Sequence, residues 1–184
     1  MREKISATII TYNEERNIER CLKSLDFVDE IIVLDSGSFD KTRAICGSFR
    51  VSFHESDFVS HGQQKNKASS LAENNWILNI DADEVISDDL KKSILTVIES
   101  ASSQSVYGFN RVTNYCGKWI YHGGWYPDQV NRLYNRKFAR WSEPNLHEKL
   151  NKVGEVDIKT EKLSGDLHHY SFPDIKSHII KNIH

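Results

Sequence analysis

Cysteine is scarce: Cys21, Cys46 and Cys116 are the only three in 184 residues. An odd, scattered set excludes a disulfide framework and any thiol metal spacing, and the three read as reduced thiols of a cytosolic chain. No apolar run approaches the roughly 18 residues of a membrane-spanning helix. Met1-Arg2-Glu3-Lys4 leads into a strand rather than a signal peptide. Charge of one sign is also lacking. A formal net charge of -2 gives no global reason to bind nucleic acid or an anionic lipid surface. Repeats, low-complexity segments and linker-like stretches are absent. What remains is ordinary globular composition, 39 % hydrophobic and 27 % charged. The length suits a single domain over 1–184, large enough to bury about 70 % of its unfolded surface.

The most informative stretch is Trp76-Ile77-Leu78-Asn79-Ile80-Asp81-Ala82-Asp83-Glu84. Its apolar part is too short for a helix and reads as a buried strand. Asp81 and Asp83 face one site if the strand continues to Asp83, or if the turn after Asp81 folds back. Like charges that close repel unless a proton or cation compensates. Mg²⁺ or Mn²⁺, bridging one or two carboxylates to a substrate's phosphates, is the usual compensator. The bland alternative is a solvated acidic turn, with Glu84, Asp88 and Asp89 capping the next helix.

Earlier segments alternate. Ile5–Thr11 reads as a strand, followed by a helix capped by Asn13 with Ile18, Cys21, Leu22 and Leu25 on its inner face. Glu30–Leu34 is a second strand ending in Asp35-Ser36-Gly37-Ser38, and Asp40 caps a short helix. A weak strand at 51–54 precedes a helix over 62–74, with Ala68, Leu71 and Ala72 inward. Ser87 caps another helix, with Leu90, Ile94, Val97 and Ile98 inward. The β-α order through about residue 102 predicts a parallel sheet, whose ligands bind at the carboxyl ends of the strands. Three polar tips, at Thr11–Glu14, Asp35–Ser38 and Asp81–Glu84, follow apolar strands on that one edge.

The second half, 105–184, reads differently. Strands are expected at 106–112 and 129–135, flanking an aromatic, Gly-rich loop from Trp119 to Asp128. A polar hairpin around Gly154 is expected over 149–163, then a short strand Leu167–Phe172 and a helix capped by Asp174. Glu148 stands beside a Pro-containing turn and is a candidate general base, a role that contributes typically about 10²–10⁴-fold. His168 and His169 alternate, so one of them faces inward, and a histidine among oxygen ligands shifts the metal preference toward Mn²⁺. Arg132, Arg136, Lys137 and Arg140 form a basic cluster suited to a phosphorylated acceptor, to an anionic bilayer or, the reading favoured here, to solvent.

Together these motifs resemble family-two glycosyltransferases of the GT-A fold: Thr11–Ile18, Glu30–Thr42, Gly62–Asn66 and Trp76–Glu84. Gly124-Trp125-Tyr126, Arg132-Leu133-Tyr134, His147-Glu148 and Leu167–Tyr170 are similar to the bacterial lipopolysaccharide core glucosyltransferase branch. The resemblance implies an α/β fold with a mostly parallel central sheet and a smaller mixed C-terminal lobe. Residues 1–104 would be the nucleotide-sugar half and 105–184 the acceptor half. It further implies that Thr11, Tyr12, Glu14 and Asp35 line the nucleoside. Lys65 stands where relatives often carry Arg, which keeps the charge without the bidentate fork. Asp81 touches ribose or metal, Asp83 binds the metal, His169 is a late metal or phosphate ligand, and Glu148 is the base. The implied reaction is metal-assisted, inverting transfer of a hexose, glucose first, from a UDP-sugar to a saccharide or glycolipid acceptor. It would take place in the cytoplasm with peripheral contact to the inner membrane. Relatives continue past the helix at Asp174, so the chain reads as truncated at its C-terminus. A non-catalytic sugar-nucleotide-binding module and a nucleotidyltransferase are the rival readings. The second lacks a Gly-rich basic loop after the first strand.

Overall fold

The computed structural model describes residues 2–143 and 148–183. Its first strand, β1 (Ile5–Thr11), is buried except at Ile10. Then follow α1 (Ile18–Lys23), β2 (Glu30–Asp35), α2 (Thr42–Cys46), β3 (Ser52–Glu55), α3 (His61–Leu71), β4 (Trp76–Asp81), β5 (Glu84–Ile86) and α4 (Asp88–Ile98). The second half contributes β6 (Ser105–Tyr115), β7 (Lys118–Ile120), β8 (Asp128–Asn135), β9 (Ala139–Trp141), β10 (Leu150–Lys152), β11 (Lys159–Phe172) and α5 (Ile175–Ile183).

In space, β3, β2, β1 and β4 are parallel neighbours in that order. The sheet continues through β8, β6, β11 and β5, with β8 antiparallel to both its neighbours. One sheet therefore runs through both halves. Parallel pairing changes to antiparallel beside β4, so the β4 tip sits where the halves meet. Register places Thr11 opposite Asp35 and Ile10 opposite Asp81, which levels the three polar tips on one edge. β9 and β10 form a separate ribbon.

Alternation along the strands divides the core. Ile5, Ile9, Leu78 and Ile80 pack with Ile18 and Leu22 of α1 and with Leu90 and Ile94 of α4. On the other side Ile32 and Ile77 meet Tyr134 and Trp141. Full burial of each such aliphatic side chain contributes about 1.5–3 kcal/mol. Among the described residues no helix is long and apolar enough to cross a membrane.

Several local expectations are corrected. Asn13 does not cap α1, which begins only at Ile18 after Asn17. Asn13 has φ 55°, a left-handed backbone that asparagine tolerates better than most residues. It ties two tips together instead: its amide donates to Ser38 Oγ and its Oδ1 accepts from the Phe39 amide. On α3 the buried face is Gly62, Gln64, Lys65, Ala68 and Ser69, while Leu71 is exposed. Apolar spacing placed Ala68 and Ala72 correctly but took Leu71 as inward and missed Gln64 and Lys65, which are buried against a polar cavity. The polar segment 149–163 is not a hairpin. Its first part pairs with β9, and from Lys159 it runs parallel to β6 as part of a 14-residue strand. Its alternation suited a strand; the partners lay elsewhere in the chain. The basic cluster also disperses. Arg132 is buried, Arg136 donates to the carbonyls of Ser69 and Ala72 at the end of α3, and Arg140 pairs with Glu143.

Candidate active site

The level tips of β1 and β4, the loop after β2, α3 and β11 enclose a cavity of about 440 Å³. Thr11, Tyr12, Glu14, Lys65, Asp81, Asp83, Glu148 and His169 line it, joined by Phe58, His61 and Gln64. Asp35 stands apart. It is 1 % exposed, and its Oδ2 accepts from the Gly37 and Ser38 amides at 3.0 and 2.7 Å. Its Oδ1 accepts from Ser38 Oγ. Asp35 thus shapes the loop beside the cavity and is not part of its wall.

The tip Asp81–Glu84 is a turn between β4 and β5, and each acidic residue has a different task. Glu84 is fully buried, and its Oε2 accepts from the Asp81 amide at 2.9 Å, which closes the turn. Closure of this turn, not continuation of the strand, directs both Asp81 and Asp83 into the cavity. Arg132 holds Asp81 from behind, with Nη2 2.6 Å from Oδ2 and 3.1 Å from Glu84 Oε1. Arg111 reaches Glu84 at 3.3 Å and Asp128 at 2.7 Å. Burial opposes ionisation of Asp81, but the charges of Arg132 and then Lys65 outweigh it and hold the carboxyl far below its usual range. In Arg132 burial likewise opposes the charge, and Asp81 and Glu84 reverse the balance, so the guanidinium is more firmly protonated than usual.

Arg132 was missed as a site residue. The register explains its direction: Tyr107 faces Leu133 and Gly108 faces Asn131, so Arg132 occupies a bulge in β8. Bulges of this kind re-aim side chains beside functional sites. The Arg-Leu-Tyr spelling marked the position, but the bulge that aims the side chain has no signature in one strand.

Asp83 and His169 meet through the pairing of β11 with β5. His169 faces Glu84 in register, and the Tyr170 amide donates to the Asp83 carbonyl at 2.8 Å. This brings His169 Nε2 to 3.2 Å from Asp83 Oδ2 and leaves the buried Nδ1 without a hydrogen-bond partner among the described residues. His168 points elsewhere, 4.6 Å from Trp119 ring to ring.

Lys65 and Glu148 close the opposite wall. Lys65 Nζ lies 2.6 Å from Glu148 Oε1 and 3.6 Å from Asp81 Oδ1, over the Trp141 ring. Burial raises the Glu148 carboxyl, and its bond to Lys65 more than offsets this, so it stays ionised below the usual carboxylate range. Residues 144–147 before it, with the His147 of the resemblance, lie outside the described residues. Beyond this ion pair lies a second cavity of about 460 Å³, bordered by the same Lys65 and Glu148 and by Arg111, Gln129, Arg132 and Lys149.

Charge decides what the first cavity can hold. Glu14, Asp81, Asp83 and Glu148 face Lys65, with Arg132 behind the wall. With histidines neutral, that is a formal surplus of two negative charges. A polyanionic ligand needs an added cation there. Among the described residues no group of three or more His, Cys, Asp or Glu is arranged to hold a metal alone. The Asp83–His169 pair, with Oδ2 3.2 Å from Nε2, nevertheless fits a divalent cation that completes its shell with water and substrate oxygens. The carboxylate suits Mg²⁺ or Mn²⁺, and the imidazole nitrogen shifts the preference toward Mn²⁺.

A parallel sheet that turns antiparallel beside its acidic tip, with a cavity at the strand ends, defines the GT-A nucleotide-sugar transferase fold. S. aureus TarS, residues 1–349, shares that fold with a TM-score of 0.60 at 19 % identity, over 91 % of this chain and 60 % of TarS. Residues 6–153 match the family model described as glycosyl transferase family 2, and the chain belongs to that family. An uncharacterized glycosyltransferase of Rickettsia bellii is 32 % identical over 97 % of this chain and 64 % of its own length. The lipopolysaccharide core biosynthesis glycosyltransferase LpsC of Rhizobium meliloti is 30 % identical over 74 % of the chain and 50 % of LpsC. The chain thus spans about two thirds of the Rickettsia relative and half of LpsC.

Proposed function

We propose that the protein transfers a hexose, glucose first among the candidates, from a UDP-sugar to a saccharide or lipid-linked saccharide acceptor, with inversion at the anomeric carbon. The observation that carries this reading is the ion pair Lys65–Glu148, which separates a carboxylate-rich cavity at the strand ends from a second, polar cavity. Donor and acceptor would lie on either side of it. Further support comes from the UDP complex of S. aureus TarS, 27 % identical at a TM-score of 0.50 over 60 % of this chain and 36 % of TarS. The name of LpsC, a lipopolysaccharide core biosynthesis glycosyltransferase, supports a lipopolysaccharide-core acceptor.

In this reading Thr11, Tyr12 and Glu14 contact the nucleoside, and Asp35 holds the neighbouring loop in shape. Asp81, fixed by Arg132, faces the ribose. Asp83 and His169 would hold Mg²⁺ or Mn²⁺, which when bound supplies positive charge against the diphosphate. Glu148 accepts the proton of the acceptor hydroxyl. The acceptor oxygen bonds to the anomeric carbon, and the bond from that carbon to the diphosphate oxygen breaks, its electron pair leaving with UDP. Lys65 lies beside the departing charge.

The test is UDP release from UDP-glucose with Mn²⁺, Mg²⁺ or EDTA, for the natural protein and for Asp83→Asn. Expected is slow release that EDTA abolishes and that Asp83→Asn lowers by about 10² or more, the scale of one lost electrostatic stabiliser. Full release by the variant would remove the metal assignment. No UDP binding under any condition would remove the nucleotide-sugar reading.

A further inference from the structure

Lys65 serves two cavities with one charge. It is 3 % exposed, over the Trp141 ring at 4.6 Å, and its ammonium is the single lysine or arginine charge among the described residues lining the donor-side cavity. Its shortest contact is not with that cavity's interior but with Glu148, at 2.6 Å against 3.6 Å to Asp81. Asp81 has a second and closer cation, since Arg132 holds its other oxygen at 2.6 Å. The proposed donor brings a doubly charged diphosphate into a cavity already rich in carboxylates. One ammonium cannot fully serve Glu148 and that diphosphate together.

We propose that Lys65 is an exchangeable clamp: it holds Glu148 while the donor site is empty, then passes to the diphosphate and frees Glu148 to act as the base. The inference rests on the transferase reading above and adds an order of events to it. The donor must be seated before the acceptor hydroxyl can be deprotonated. An ion-paired carboxylate is a poor base, because proton-transfer efficiency falls as the base's pKa drops below the working pH. The direction of the Glu148 shift agrees, burial being outweighed by the bond to Lys65. Lys65 stays protonated throughout; only its partner changes. Trp141 supports the ammonium without fixing its direction.

The clamp makes Glu148 and the diphosphate competitors for one cation, and that competition is measurable without knowing the acceptor. Calorimetric titrations of UDP and of uridine, both with Mg²⁺, would be run on the natural protein, Glu148→Gln, Lys65→Met and the double variant. Glu148→Gln is expected to bind UDP about tenfold more tightly, between the small effect of an exposed ion pair and the large cost of breaking a buried one. Uridine, which lacks phosphate, is expected to bind unchanged. In the Lys65→Met background Glu148→Gln should leave UDP affinity unchanged. Lys65→Arg, which keeps the charge, covers the case that Lys65→Met does not fold; there the tightening by Glu148→Gln should persist. Unchanged or weaker UDP binding by Glu148→Gln overturns the clamp. So does an equal gain in the Lys65→Met background, which would be simple relief of repulsion. Absence of UDP binding by the natural protein overturns the transferase reading itself, a distinct result.

Discussion

Replacing Arg132 with methionine isolates what the buried guanidinium does. Methionine is unbranched and apolar and fills irregular space, so the packing against Trp141 is largely kept. Three contacts go: to Asn79 Oδ1 at 3.2 Å, Asp81 Oδ2 at 2.6 Å and Glu84 Oε1 at 3.1 Å. Removing one partner of a buried ion pair costs about 3–5 kcal/mol. Arg111 still reaches Glu84 at 3.3 Å and Lys65 still reaches Asp81 at 3.6 Å, which argues for the low end, about 3 kcal/mol. At roughly 2–4 °C per kcal/mol for this size, the thermal midpoint should fall by roughly 6–12 °C. The loss should also depend on pH. Asp81 titrates below its unfolded value in the natural protein, burial being outweighed by Arg132 and Lys65. Its contribution is therefore full above the unfolded pKa of about 4 and is lost as pH falls toward the folded value. The variant forfeits most of that contribution, so the gap between the two proteins should be widest at neutral pH and narrow below about pH 4. Circular-dichroism melts at neutral pH and near pH 3 measure both. A loss under about 1 kcal/mol would refute the account of a buried charge left uncompensated. A gap that stays constant across that range would refute the role of Asp81.

Two further substitutions test the frame around the site. Gly165 has φ +92°, and a Cβ there would meet the backbone of Asp89 and Leu90, with Leu90 Cα at 2.6 Å. Gly165→Ala combines left-handed strain with overpacking between β11 and α4 and should cost about 3 kcal/mol in urea unfolding; a neutral effect would show that α4 can slide. Tyr134 Oη accepts from Trp141 Nε1 at 3.1 Å and pairs with Ser69 Oγ at 2.8 Å in a buried setting. Tyr134→Phe leaves the indole N–H unmatched and should cost about 2 kcal/mol. A variant as stable as the natural protein would mean that water or a shifted Ser69 restores the bond.

Runs such as Ile5–Thr11 and Trp76–Asp81 were legible as strands because short β-branched stretches between polar tips have few other uses. Their alternation with helices implied a parallel sheet, and that sheet implied a site at the carboxyl ends. Thr11, Asp81, Asp83, Glu148 and His169 could be singled out by residue type, position and family resemblance. Other features depended on partners distant in sequence. The inward polar face of α3 followed from the cavity it borders, and the fate of 149–163 from the strands β6 and β9. Asp35 read as a ligand contact from its strand-end position; in the structure its Oδ2 accepts from the Gly37 and Ser38 amides and its Oδ1 from the Ser38 hydroxyl, bonds a sequence pattern does not display. Arg132 looked solvated, but a bulge turns it under the acidic tip.

By itself, then, the sequence determined the β-α alternation of the first half, the acidic tip and the family, since these rest on local pattern and spelling. Only the tertiary structure decided which charges meet. It set Glu84 inward to close the turn, Asp83 against His169 across 86 residues, and Lys65 against Glu148 across 83. The physical reason is that pattern specifies which face of a segment is buried. The partner of a charge is set by register, bulges and turn closure between distant segments, and no single segment encodes those.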